Sequence, residues 1–125
     1  MIWTLSQVAL GGALGASARH LTNVGSLRLV GSGFPWATLL VNVMGSFLMG
    51  ALVVALVQKG GVRFAPLLMT GLLGGFTTFS AFSLDAVALW QRGEPVLAAG
   101  YVGGSVGMSI GALLLGMLSL RGVLA

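Results

Sequence analysis

Between Thr70 and Ser83 an otherwise apolar run, TGLLGGFTTFSAFS, carries five hydroxyl side chains, three phenylalanines and the pair Gly74–Gly75. A plain membrane helix has no need of that set. Each glycine costs a helix about 1 kcal/mol relative to alanine, and the hydroxyls of Thr77 and Thr78 can take up backbone groups that an interrupted helix releases. The run therefore predicts a helix break within residues 74–78. At membrane depth such backbone is tolerated only where it is buried in protein or lines a cavity. Beyond the break, Phe79 and Phe82 are three residues apart, as are Ser80 and Ser83, so on a resumed helix each pair shares a face. An aromatic pair beside a hydroxyl pair, next to released carbonyls, is equipment for handling an ion.

Few other polar residues stand within apolar sequence. Asn42 and Ser46 are four apart on one helical face; the amide reads equally as hydrogen-bonding glue between helices and as a donor lining a pore. Arg19 reads as a helix-end anchor or as an electrostatic lure for anions at a vestibule. His20 has no second His and no Cys with which to complete a metal site. Asp85 is the one acid inside or beside an apolar run, and Tyr101 is the one tyrosine. Tyr101 suits either an interfacial belt or an inward-pointing position. One His, no Cys and no pair of buried carboxylates argue against an enzyme.

These residues need elements to hold them, and composition says which. The chain has 125 residues, 57% of them hydrophobic, and only six Lys or Arg and two Asp or Glu. A soluble domain of this size would be about 25% charged, whereas here the mean hydropathy is +1.05. The expectation is an all-α integral membrane protein, a single four-helix transmembrane domain over 1–125, with helices near 2–19, 35–57, 66–90 and 96–120. Residues 21–33, with Gly25, Gly31 and Gly33, read as a loop. The start, MIWTLSQ, lacks the positive region of a cleaved signal peptide, so the first run is expected to stay as a helix. Small-xxx-small pairs at Gly11/Gly15, Gly12/Ala16, Gly100/Gly104, Gly103/Gly107 and Gly107/Gly111 predict close helix packing. Ser105 and Ser109 share a face of the last helix. The net charge of +4 is carried by single basic residues spread between the runs, which suits a bilayer and not a nucleic acid.

Four spans place Lys59, Arg63 and Arg121 on one side and Arg19, Arg28 and Arg92 on the other. This three-against-three balance gives no preferred orientation under the positive-inside rule. Copies of opposite orientation can then pair about an axis in the membrane plane, with a site near the midplane. An antiparallel dual-topology homodimer is the expectation.

The segments GGALGASARH, TLLVNVMGSFLMG and above all GLLGGFTTFSAFS resemble the Fluc, or CrcB, fluoride channels, across all four runs. The resemblance implies a small four-helix protein of the plasma membrane (the inner membrane, where there are two) that works as an antiparallel homodimer and passively exports fluoride. It implies a structural sodium ion held by the backbone carbonyls of Gly74 and Thr77 from both subunits. It assigns the fluoride pathway to Asn42, Phe79, Phe82, Ser80, Ser83 and Tyr101, with Arg19 at the vestibule. This chain departs from the family pattern at Ala81, commonly Thr or Ser, and at Asp85, usually Glu.

The residue types suit that cargo. Fluoride is strongly hydrated, and Ser, Thr and Asn can replace its water without a full charge that would hold it. Ring edges of Phe carry partial positive charge and can coordinate an anion weakly, although the same pair also reads as packing. The rival class is a small dual-topology proton-coupled drug antiporter. It needs an ionisable residue at depth, and Asp85 stands toward one end of its run.

Overall fold

The computed structural model describes residues 1–124, and among these every regular element is helical. In chain order they are α1 (Ile2–Val30), α2 (Trp36–Lys59), a 3₁₀ turn at Val62–Phe64, a π-helix at Pro66–Leu73, the single turn α3 (Gly74–Phe76), α4 (Phe79–Gln91) and α5 (Pro95–Leu124). Three stretches are long and apolar enough to cross a membrane: Trp36–Lys59, Val62–Gln91 and Pro95–Leu124. At 29 residues, α1 has the length, but its first turns are diluted by Thr4, Ser6 and Gln7 and its middle by Arg19, His20 and Asn23.

The second, third and fourth runs end within a few residues of where hydropathy puts them. The first does not. In place of an end near Ala18–Arg19 and a loop over 21–33, α1 continues to Val30. Gly25 costs only about 1 kcal/mol in a helix, and Thr22 Oγ1 donates back to the Ala18 carbonyl within it (2.9 Å). The helix stops at Gly31, whose φ of 76° lies in a region that side chains avoid, and whose N–H donates to Leu27 O. Gly60 ends α2 in the same way, at φ 75°. The turn between α4 and α5 is tied to the one between α1 and α2, since Arg92 donates to Gly33 O (2.8 Å) and pairs with Glu94 (2.9 Å).

Two close-packed helix pairs make up the protomer. Along α1 lie the π-helix and α3, and along α2 lies α5. Without water to drive burial, such contacts depend on how near two backbones come. A methyl group added at Gly11 or Gly15 would overlap the backbone at Leu67 or Leu72, and one at Gly75 would stand 2.8 Å from Gly12 O and 3.1 Å from Ala16 N. Gly50 and Gly116 bring α2 and α5 together in the same manner. The glycine pairs expected to pack α5 do not do so within the protomer. Gly100, Gly103, Gly107 and Gly111 have nothing within 4 Å of an added Cβ, and α5 leaves that face uncovered because α2 meets it near Leu113–Met117 instead. A small cluster of Phe82, Leu89, Ala98 and Tyr101 joins α4 to α5.

Candidate functional site

The third apolar run does break, at Thr77–Thr78, the far end of the expected window. Gly74 is itself helical (φ −63°, ψ −36°), whereas Thr77 (ψ 159°) and Thr78 (φ −154°, ψ 124°) are extended. Two successive β-branched residues favour that conformation, and their hydroxyls support it. Thr77 Oγ1 donates to Leu73 O (2.8 Å), and Thr78 caps α4 by accepting from Ala81 N (3.2 Å). Gly75 contributes close approach to α1 rather than the interruption.

Side chains from two other helices take up what the break releases. Asn42 of α2 bonds Thr78 twice, with Nδ2 donating to its carbonyl (3.0 Å) and Oδ1 accepting its N–H (2.8 Å). Arg19 of α1 donates through Nε to Gly75 O (3.1 Å), placing a cation at the negative end of the half-helix. Arg19 thus stands half-buried against the break, within α1 and not at a helix end. The carbonyls of Gly74 and Thr77 are among those that gain no such partner. The amide that would return a helical bond to Gly74 O belongs to Thr78 and is taken by Asn42; the one for Thr77 O belongs to Ala81 and is taken by Thr78 Oγ1. Neutral carbonyl oxygens of this kind are ligands for a hard cation, so the residues fit a sodium ion. Among the described residues there is no group of three His, Asp or Glu side chains to hold a metal otherwise.

A groove of about 380 Å³ runs along one side of the break. Asn42, Phe79 and Phe82 line it, with Ser46, Ser105 and Ser109. Ser105 is 4% exposed, and its hydroxyl has no hydrogen-bond partner. No charged side chain borders the groove. On the other side lies a crevice of about 180 Å³ bordered by Arg19, His20, Asn23, Thr38 and Asp85. Thr78 borders both, whereas Asn42 borders only the groove.

The two phenylalanines differ sharply in setting. Phe79 is 77% exposed and Phe82 8%, with ring centroids 5.5 Å apart. Phe82 also packs on Tyr101 (5.2 Å), whose hydroxyl donates to Asp85 Oδ2 (3.2 Å). Tyr101 therefore supports the Phe82 ring from behind and does not itself border the groove. Ser80 and Ser83 lie on the exposed side of α4, where Ser80 shares a hydrogen bond with Thr78 Oγ1 and Ser83 donates to Phe79 O. The serines that do border the groove come from α2 and α5, beside Thr77 and Thr78 of the break. Their signal in the sequence is the four-residue spacing of Ser105 and Ser109, which glycine packing of that helix obscures.

Comparison with known proteins bears on what such a site serves. A protein from Cereibacter sphaeroides (strain ATCC 17029 / ATH 2.4.9), named fluoride-specific ion channel FluC, is 67% identical over 125 residues, the whole of both chains. Proteins of the same name from Ruegeria sp. (strain TM1040) and Paracoccus denitrificans (strain Pd 1222) are 58% and 52% identical over 99% and 98% of each chain. The family described as CrcB-like protein, Camphor Resistance (CrcB), matches residues 6–117. With a family match over most of its length and relatives this similar end to end, the chain belongs to the CrcB family.

Proposed function

We propose that the protein is a fluoride-specific channel of the plasma membrane, passing the anion down its electrochemical gradient. The observation that carries this reading is the uncharged groove beside the break. Asn42 has two amide hydrogens, and Thr78 O uses one. The second, with the unpartnered Ser105 hydroxyl and the edges of Phe79 and Phe82, offers an anion several weak donors and no positive charge to trap it. The crevice holding Arg19 shares Thr78 with the groove and would draw anions toward it. Full-length relatives that bear the fluoride-channel name support the choice of anion.

The working unit in this reading is an antiparallel homodimer of four-span protomers, with α1 as the fourth span. Gly74 is exposed and its carbonyl unpartnered, and Phe79 is exposed as well. Lipid cannot satisfy such backbone, so a second copy must cover it. Orientation is nearly balanced, with Lys59, Arg63 and Arg121 on one side against Arg28 and Arg92 on the other, so both orientations insert. In the dimer, Gly74 and Thr77 of each copy would hold a sodium ion, which supplies positive charge where carbonyls would otherwise face one another. Ser80 and Ser83 then face the partner, not lipid.

Proteoliposomes loaded with fluoride should lose it on opening a potassium conductance, with no need for a proton gradient or ATP, while chloride is retained. Uphill, proton-coupled movement would place the protein among antiporters instead. Orientation is checked separately. Single cysteines at Val62→Cys and Gln91→Cys should each be labelled from both sides of the membrane, and a single fixed orientation would end the dimer reading.

A further inference from the structure

We propose that Gly45 of α2 is a positioning residue for the break, and that the absence of its side chain sets where Thr77 sits. The proposal rests on the reading above, in which the Thr77 carbonyl belongs to the cation site and the adjoining residues border the anion path. The close-packed glycines along the helix pairs (Gly11, Gly15, Gly50, Gly75, Gly116) would meet backbone if a methyl were added. Gly45 differs, because a methyl there would overlap a side-chain atom, Thr77 Cγ2, and touch Phe76 Cδ2 at 3.4 Å.

Such an overlap is usually relieved by rotating the side chain, but Thr77 cannot rotate freely. Its Oγ1 donates to Leu73 O (2.8 Å), and on a β-branched side chain the methyl and the hydroxyl turn together about χ1. Moving Cγ2 away from residue 45 removes the hydroxyl from Leu73. The remaining escape is a shift of the Thr77 backbone, which carries the carbonyl next to Asn42-bound Thr78. Gly45 lies three residues along α2 from Asn42, on the same face, so one helix surface seats Thr77 and clamps Thr78. Position 45 therefore reads the methyl of residue 77, and the hydroxyl of residue 77 locks that methyl in place.

This pairing makes a rescue test possible. In the full-length protein, Gly45→Ala should lower fluoride efflux by on the order of tenfold or more, as small displacements of positioned groups do. It should also diminish the rise in melting temperature on adding sodium. Thr77→Ser keeps the hydroxyl and the backbone carbonyl and deletes the methyl, so combined with Gly45→Ala it should bring both readouts back to the level of Thr77→Ser alone. Thr77→Val keeps a methyl toward residue 45 and loses the hydroxyl, so it should not rescue. Melting in sodium-free buffer gives the coupling between positions 45 and 77 without transport. If the wild type moves no fluoride, the functional reading fails, and that coupling still judges the seat. Wild-type behaviour of Gly45→Ala, or a double variant with Thr77→Ser no better than Gly45→Ala alone in folding and melting, overturns the proposal.

Discussion

Asn42→Leu should abolish fluoride efflux, and Asn42→Asp should come close to doing so, for different reasons. The leucine leaves the N–H and the carbonyl of Thr78 without the two bonds that Asn42 makes. Each unsatisfied buried group costs about 1–3 kcal/mol, enough to let the break rearrange. The aspartate keeps the bond from the Thr78 N–H but has no amide hydrogen for the Thr78 carbonyl or for a passing anion. It also sets a carboxylate on the groove, where it repels fluoride. The Asp variant should therefore purify more like wild type and still fail in efflux, whereas the Leu variant should also lose thermal stability. Ion-selective-electrode traces from reconstituted protein, read beside size-exclusion profiles, separate the two. Undiminished efflux in Asn42→Leu would remove the residue from the pathway.

The second large effect concerns helix approach. Gly15→Ala puts a methyl group into the backbone of the neighbouring strand of helix, over Leu72 O and 2.8 Å from Phe76 N. Backbone cannot swing aside as a side chain can, so α1 and α3 must separate. Overpacking of this kind costs typically about 1–3 kcal/mol and sometimes more. The separation would also lengthen the Arg19 bond to Gly75 O, one turn further along α1. On the same helix, a methyl at Gly12 meets nothing within 4 Å, and alanine is the better helix former by about 1 kcal/mol. Gly15→Ala should therefore fail to yield well-folded protein, or lower its melting temperature by many degrees, while Gly12→Ala behaves as wild type or better. Equal tolerance of both would show that α1 is less closely held than its glycines imply.

Several features at the site lay within reach of the sequence, and others did not. The break was legible because the hydroxyls of Thr77 and Thr78 carry part of its chemistry locally, although the glycines that also pointed to it stay helical or serve close approach. Its position two residues past Gly75 was not, since the bonds that stabilise it come from Asn42 and Arg19, 36 and 56 residues away. Glycine content correctly marked α1 as a close-packing helix, because Gly11 and Gly15 recur on one face. The same pattern misled for α5, where Gly116 makes the close contact and the run from Gly100 to Gly111 stays open. Spacing shows which residues share a face but not which face meets a neighbour.

By itself the sequence determined the helical membrane class and the limits of the later apolar runs, and it singled out candidate residues for an ion. Those properties are sums over neighbouring residues: hydropathy over a window, propensity at a position, side-chain chemistry at a site. Only the tertiary structure decided that α1 runs through to Val30, that Arg19 stands half-buried against the break, and that the groove takes its serines from Ser46, Ser105 and Ser109 and not from Ser80 and Ser83. Those outcomes depend on which released carbonyl or N–H finds a partner and on which backbones approach closely. Both are pairwise across distant segments, so no local window contains them.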